Sequence, residues 1–208
     1  MTPPVIECAP EGPYLVKNLD RLVNARGERL ATKPVTALCR CGRSSTKPYC
    51  DGTHKKAGFS SARDAGVGAP RASYTGRRLT IHDDREICAH AGYCTEGLRT
   101  VFVSGREPWI DPDGAAVERV IAVIEQCPSG ALSYSLDGVG HRDQARGPSI
   151  AVTENGPYAV VGGARLVGAD VKRGASTEHF TLCRCGASKN KPFCDGSHWD
   201  IGFKDDAG

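Results

Sequence analysis

Apolar positions along the chain come in short runs punctuated by Gly and Pro. Residues 13–16, 150–152, 158–161, 79–82 and 101–103 are such runs, rich in β-branched and aromatic side chains. Runs this short, bounded by turn residues, predict short strands. One stretch has a different period. Val117, Val120, Ile121 and Ile124 fall at i, i+3, i+4 and i+7 after a Pro112-Asp113-Gly114 turn, which predicts a helix that runs into Cys127-Pro128. The longest apolar stretch, around residues 120–124, is far too short to span a bilayer, and Met1 to Cys8 shows no basic segment followed by an apolar one. The expectation is a soluble, cytoplasmic protein with no membrane contact.

The same pattern occurs twice. Gly12-Pro13-Tyr14 recurs as Gly156-Pro157-Tyr158, Arg21-Leu22-Val23 as Arg165-Leu166-Val167, and Gly58-Phe59 as Gly202-Phe203, at a constant offset of 144 residues. A gap-free alignment across these landmarks implies duplication of one unit. Gly-rich segments ending in Pro, 60–70 and 138–148, frame an insert. The expected division is a first unit at 1–62, a linker at 63–73, a middle domain at 74–137, a linker at 138–148 and a second unit at 149–208. In each unit a further apolar run precedes the first ligand, so small β structure is expected.

Composition narrows the chemistry. The 27 basic and 24 acidic residues are nearly balanced and dispersed, which argues against nucleic acid. With aromatic residues at 6%, 25 Gly and 13 Pro, the chain is rich in loops and its cores are modest. Nine of the ten cysteines sit in metal-ligand spacings, and without an export signal they read as thiolates on metal in a reducing compartment, not as a disulfide framework. Their spacing carries the argument: Cys39-x-Cys41-x8-Cys50-x3-His54 returns as Cys183-x-Cys185-x8-Cys194-x3-His198. Three thiolates and an imidazole suit an iron-sulfur cluster or zinc and do not suit calcium or magnesium. Zinc sites usually separate their first two cysteines by two to four residues, and here one intervenes. Asp51 and Asp195 are placed to N-cap a short helix, with Cys and His at i, i+4 on one side of its turn. In the middle segment Cys88-x5-Cys94, about one and a half helical turns apart, joins a distant Cys127-Pro128, the spacing of a single-cluster ferredoxin.

Cys39 to His54 and Cys183 to His198, including Ser44 with Pro48 and Ser188 with Pro192, resemble the CDGSH iron-sulfur (NEET) family. The resemblance implies a [2Fe-2S] cluster in each copy: Cys39 and Cys41 on one iron with Cys50 and His54 on the other, and likewise Cys183 and Cys185 with Cys194 and His198. It also implies that two such units pair into a sandwich-like body. The middle segment, through Cys88, Cys94, Pro108-Trp109-Ile110 and the run from Cys127 to Leu132, resembles divergent single-cluster 4Fe-4S-type ferredoxin domains. The position of a fourth ligand, three residues after Cys88, is Ala91. Three thiolates satisfy a [3Fe-4S] cluster, the slightly favoured reading. A [4Fe-4S] cluster needs another donor, either His90, the nearby candidate, or an exogenous ligand.

The fold class expected is therefore α+β: two β-rich CDGSH units pairing as an internal pseudo-dimer in a monomer, with an inserted ferredoxin-like domain. Cys8 aligns with Val152 and reads as a packed small hydrophobe; His82 and His141 have no spacing partner, and His179 corresponds to Val35. Lys47 and Lys191 recur beside the ligands and are candidates for steering a partner. No nucleotide fingerprint, nucleophile elbow or paired-carboxylate arrangement is present, so no enzyme activity is expected. The functional expectation is an electron carrier serving redox partner proteins. Its rival is delivery of clusters to apo iron-sulfur acceptors, or redox and pH sensing, through the His ligands.

Overall fold

The computed structural model describes residues 2–64, 70–171 and 175–205. Its strands are β1 (Val5–Cys8), β2 (Tyr14–Lys17), β3 (Leu22–Val23), β4 (Val35–Leu38), β5 (Ala72–Thr75), β6 (Leu79–Asp83), β7 (Leu132–Leu136), β8 (Val139–His141), β9 (Ser149–Val152), β10 (Tyr158–Val161), β11 (Arg165–Val167) and β12 (Phe180–Leu182). The helices are α1 (Tyr93–Gly97), α2 (Val117–Ile124) and α3 (Ser197–Asp200). They form three four-stranded sheets and few helices.

Both outer sheets are built from both repeats. The first has the order β11-β1-β2-β4 and the second β12-β10-β9-β3, so each repeat lends one strand to the other's sheet. The exchange is symmetric: Ile6 pairs with Leu166 in parallel, and Leu22 pairs with Ile150 in the same way. Alternation explains why the strands face inward as they do. Ile6, Tyr14, Val16 and Leu38 are buried from one repeat and Ile150, Tyr158, Val160 and Leu182 from the other, all in a single contiguous core. A unit of about 60 residues buries only a marginal core on its own. Sharing strands and core removes that deficit.

The middle sheet runs β5-β6-β7-β8, with α2 laying Val120 and Ile124 on a core that includes Ile81, Phe102, Trp109 and Tyr134. The period-3.6 pattern thus forms the expected helix. Four expectations need correction. The run at 101–103 is not a strand: Val101 and Phe102 are both buried in a turn hydrogen-bonded to Leu98, and pairing reduces to a bridge between Phe102 and Ile110. The second linker opens with β8, which an Asp137-Gly138 turn folds back onto β7; both turn residues have positive φ, 48° and 85°, the hairpin geometry that Asp-Gly favours. The first linker ends in β5, and part of it, 65–69, lies outside the described residues. Cys88 and Cys94 are not on one helix, because a left-handed His90 and Gly92 separate the turn at Arg85–Ile87 from α1.

The loops that follow β4 and β12 meet back to back. A Cβ on Gly42 would lie 2.5 Å from the Cys185 carbonyl oxygen, and one on Gly186 would lie 2.7 Å from that of Cys41. Gly42 and Gly27 both have positive φ, 73° and 79°, but nothing stands within 4 Å of a Cβ at Gly27. Gly27→Ala should therefore cost only the backbone strain, about 1–3 kcal/mol, while Gly42→Ala and Gly186→Ala should cost more because two backbones must also separate. Denaturant midpoints of the three variants measured side by side check this; equal losses would show that the loops do not press on each other.

Candidate iron-sulfur sites

Each repeat builds its site from a β-strand end, a loop and a short helical turn. Cys39 and Cys41 follow β4; the Cys39 N–H donates to the Pro48 carbonyl at 2.8 Å and the Cys50 N–H to that of Ala37 at 2.9 Å, which draws both halves of the site together. The second copy repeats this, with Cys183 on Pro192 at 2.8 Å and Cys194 on Thr181 at 3.0 Å. Inside the loop the Ser44 hydroxyl donates to the Tyr49 carbonyl, and the Ser188 hydroxyl to that of Phe193, each at 2.7 Å. The expected N-caps are displaced by one residue. The cap positions are Gly52 and Gly196, left-handed at φ 87° and 90°, and Asp51 and Asp195 precede them. Each aspartate still accepts from the first helical N–H, at 2.9 Å from Thr53 and 3.0 Å from Ser197, and its other oxygen accepts the N–H of Ser45 or Lys189 at 2.8 Å. These donors hold the Asp51 carboxyl well below the usual carboxylate range. The aspartate therefore clamps the loop, and the left-handed glycine, not a regular helical turn, brings Cys and His together.

Donor distances test whether a metal fits. Cys39 and Cys41 sulfurs are 3.8 Å apart, as are those of Cys183 and Cys185. Cys50 Sγ lies 3.4 Å from His54 Nδ1, and Cys194 Sγ 3.5 Å from His198 Nδ1. With metal–sulfur bonds of about 2.3 Å and metal–nitrogen bonds of about 2.0 Å, a tetrahedral metal sets two sulfurs about 3.8 Å apart and sulfur from nitrogen about 3.5 Å apart. The donors of each copy thus have the spacing of two pairs, each pair spanning one metal. Among the described residues no three His, Cys, Asp or Glu side chains converge on the position of a single ion. Burial pushes the Cys41 thiol up to about 11 and the Cys194 thiol further still, so a bound cation is needed to hold these two as thiolates.

Tyrosines from each repeat cross to the other's site. The Tyr14 hydroxyl donates to the carbonyls of Cys183 and Pro192 at 2.9 and 3.0 Å, and Tyr158 to those of Cys39 and Pro48 at the same distances. Their rings meet edge to face, 6.1 Å apart. Burial raises both hydroxyl pKa values far above the ordinary tyrosine range, so they stay donors. Between the first two ligands, Arg184 is buried and donates to the carbonyls of Gly156 and Thr153 at 2.8 and 2.7 Å, and it also pairs with Asp205; Arg40 is its counterpart over the Tyr14 ring. The repeated Cys-Arg-Cys was visible in the sequence, but these roles were not.

The middle domain brings Cys88, Cys94 and Cys127 to the wall of one cavity of about 750 Å³, together with His90 and Ala91. Burial, with the neighbouring Cys88 and Cys127, pushes Cys94 up to about 11. Arg85, paired with Asp83 at 3.2 Å and stacked over Trp109, reaches Cys88 Sγ at 3.7 Å, a cation beside a prospective thiolate. The room, three thiols on the wall of one cavity and a positive neighbour fit an iron-sulfur cluster. Other histidines stand elsewhere: His179 is buried against Ser176 and Glu178, His82 lies between Ser73 and Ser135, and His141 stacks on Tyr134. Cys8 is packed in the shared core, where burial raises its thiol.

Comparison with known proteins agrees with this geometry. The family described as iron-binding zinc finger CDGSH type matches residues 11–55 and 155–199, and the family described as divergent 4Fe-4S mono-cluster matches residues 74–137. The uncharacterized protein YjdI of Escherichia coli (strain K12) is 44% identical over 61 residues, 29% of this chain and 80% of that protein. The CDGSH iron-sulfur domain-containing protein NEET of Arabidopsis thaliana is 43% identical over 44 residues, 21% of this chain and 41% of that protein. No solved structure matches the chain. Paired thiolate and imidazole donors on matching domains define an iron-sulfur protein. The chain belongs to the CDGSH iron-sulfur (NEET) family, with two copies of its domain flanking a divergent 4Fe-4S-type ferredoxin domain. No helix among the described residues is long and apolar enough to cross a membrane.

The crossed tyrosines generate a test. Tyr14→Phe should destabilise the protein by about 1–3 kcal/mol and hasten metal loss from the C-terminal copy, while Tyr158→Phe should act on the N-terminal copy. Denaturant midpoints and chelator-driven bleaching measure the two effects; metal loss from the tyrosine's own repeat instead would contradict the crossed wiring.

Proposed function

We propose that the protein is a multi-cluster iron-sulfur electron carrier that exchanges single electrons with redox partner proteins and catalyses no reaction of its own. Each CDGSH copy holds a [2Fe-2S] cluster, with Cys39 and Cys41 on one iron and Cys50 and His54 on the other in the first copy, and Cys183 and Cys185 against Cys194 and His198 in the second. The observation that carries this reading is the two-and-two spacing of the donors, 3.8 Å between sulfurs and 3.4 to 3.5 Å from sulfur to imidazole. In the middle domain Cys88, Cys94 and Cys127 hold the third cluster. Three thiolates alone match [3Fe-4S]; His90 in the same cavity and the 4Fe-4S description of the matching family favour the four-iron form, for which His90 would be the fourth donor. The exchanged strands and shared core support an α+β monomer in which the two repeats form an internal pseudo-dimer. Cluster delivery to an apo acceptor is a second reading, favoured by the partial exposure of Cys50 and His54.

Anaerobic purification with iron and sulfide analysis and EPR tests the whole assignment. Mixing with an apo-ferredoxin then separates the readings: reversible reduction without cluster movement supports transport, and stoichiometric movement supports delivery. Replacing an imidazole with a thiolate adds negative charge to a cluster, so His198→Cys should lower the potential of that centre, read by redox titration; an unmoved potential argues against ligation by His198. For the middle centre, a four-iron cluster gives its EPR signal after reduction and a three-iron cluster gives one when oxidised. Ala91→Cys should preserve the reduced-state signal and remove its sensitivity to His90→Ala. An oxidised-state signal in the unmodified protein would return the assignment to [3Fe-4S].

A further inference from the structure

The two CDGSH copies match in ligand geometry and differ in what surrounds them. Cys194 and His198 are 3% and 4% exposed, whereas Cys50 and His54 remain partly open to solvent. The middle domain supplies the cover. A Cβ placed on Gly196 would stand 2.5 Å from the His90 ring, while one on the equivalent Gly52 meets nothing within 4 Å. Asn190 Nδ2, in a residue 1% exposed, donates to the Glu86 carbonyl at 2.8 Å, and the Trp199 indole N–H donates to the His90 carbonyl at 3.2 Å. At these two positions the first copy carries Thr46 and Lys55. The duplicated loop has thus acquired docking residues in one copy only.

Charge differs in the same places. Arg43, Lys55 and Lys56 are exposed around the N-terminal site, with Lys47 half-buried beside them. The C-terminal copy has Ala187, Trp199 and Asp200 in place of the first three. Among the described residues none of the four cations is held in an ion pair, and Asp51, the carboxylate in the same loop, is occupied by Ser45 and Thr53. A cationic rim around an accessible site raises the encounter rate with an oppositely charged surface and orients it.

We infer that the N-terminal CDGSH copy is the docking site for a partner protein with an acidic surface, and that the middle domain, through Asn190 and Trp199, closes the C-terminal copy to partners. This rests on the iron-sulfur reading of both copies. A partner therefore meets His54 directly, whereas His198 is reached only through the protein.

The test uses the holo-protein under anaerobic conditions. A neutral iron chelator reports access, with the bleaching phases assigned by their absence in His54→Ala and His198→Ala. The His54 phase is expected to be the faster because His198 is buried and His54 is not, and Asn190→Thr/Trp199→Lys, which gives the second copy the residues of the first, should accelerate the His198 phase. Docking is read by carbodiimide crosslinking to an acidic ferredoxin, mapped by mass spectrometry. Crosslinks are expected at Lys47, Lys55 and Lys56 and not at Lys189 or Lys191. They should fade at high salt, and Lys55→Glu/Lys56→Glu should weaken association about tenfold. Loaded copies that bleach at equal rates, or crosslinks that favour Lys189 and Lys191, would overturn this inference alone. Absence of iron and sulfide from both copies would overturn the iron-sulfur reading and this inference with it.

Discussion

The hydroxyls of Tyr14 and Tyr158 sit in the one core the two repeats share, and each donates to the carbonyls around the other repeat's first ligand. That crossing is the constraint on which the outer units depend. A half of this size has too little interior to fix a loop carrying four metal donors, and the donors have fixed spacing only if the loop is fixed. Exchanged strands solve the first problem and the tyrosines the second. The backbones of Gly42 and Gly186 then approach so closely that neither position has room for a side chain.

Duplication alone would give two equivalent sites. The inserted domain removes the equivalence, because it is a single copy placed against a two-fold arrangement and can cover only one half. Its His90 ring packs on Gly196, while Cys88, Cys94 and Cys127 line a cavity that His90 also borders. The Cys-His pair of one repeat is thus partly open and that of the other buried. Cys88 stands near enough to Cys194 to help raise that thiol's pKa, which places the middle site beside the closed one.

Much of the site was legible as sequence. Metal ligation needs particular side chains at particular intervals, and the spacing repeats without a gap, so the candidate donors of both copies and the three thiols of the middle domain could be picked out from the chain, and the structure brings each set together. Strand β10, helix α2 and the packed Cys8 followed from periodicity and repeat alignment. The misses share one cause. The run at 101–103, the regular turn expected between Cys50 and His54, and the helical spacing of Cys88 and Cys94 were read from local pattern, and each was decided by a left-handed residue or by burial on both sides of the backbone. The Asp137-Gly138 hairpin signal was present and unread.

The sequence by itself determined the chemistry: which residues offer thiolate or imidazole, how they are spaced, and that one unit occurs twice around another. These are properties of short segments, and a ligand interval survives any arrangement of the rest. Only the tertiary structure decided how the segments lie against one another. Strand exchange, the crossed tyrosines, the burial of Arg184 and the closure of one site by Asn190 and Trp199 all join residues far apart in the chain, where no local period or spacing records the contact. Equal motifs became unequal sites because access is set by what packs on a ligand, and packing is a property of the whole fold.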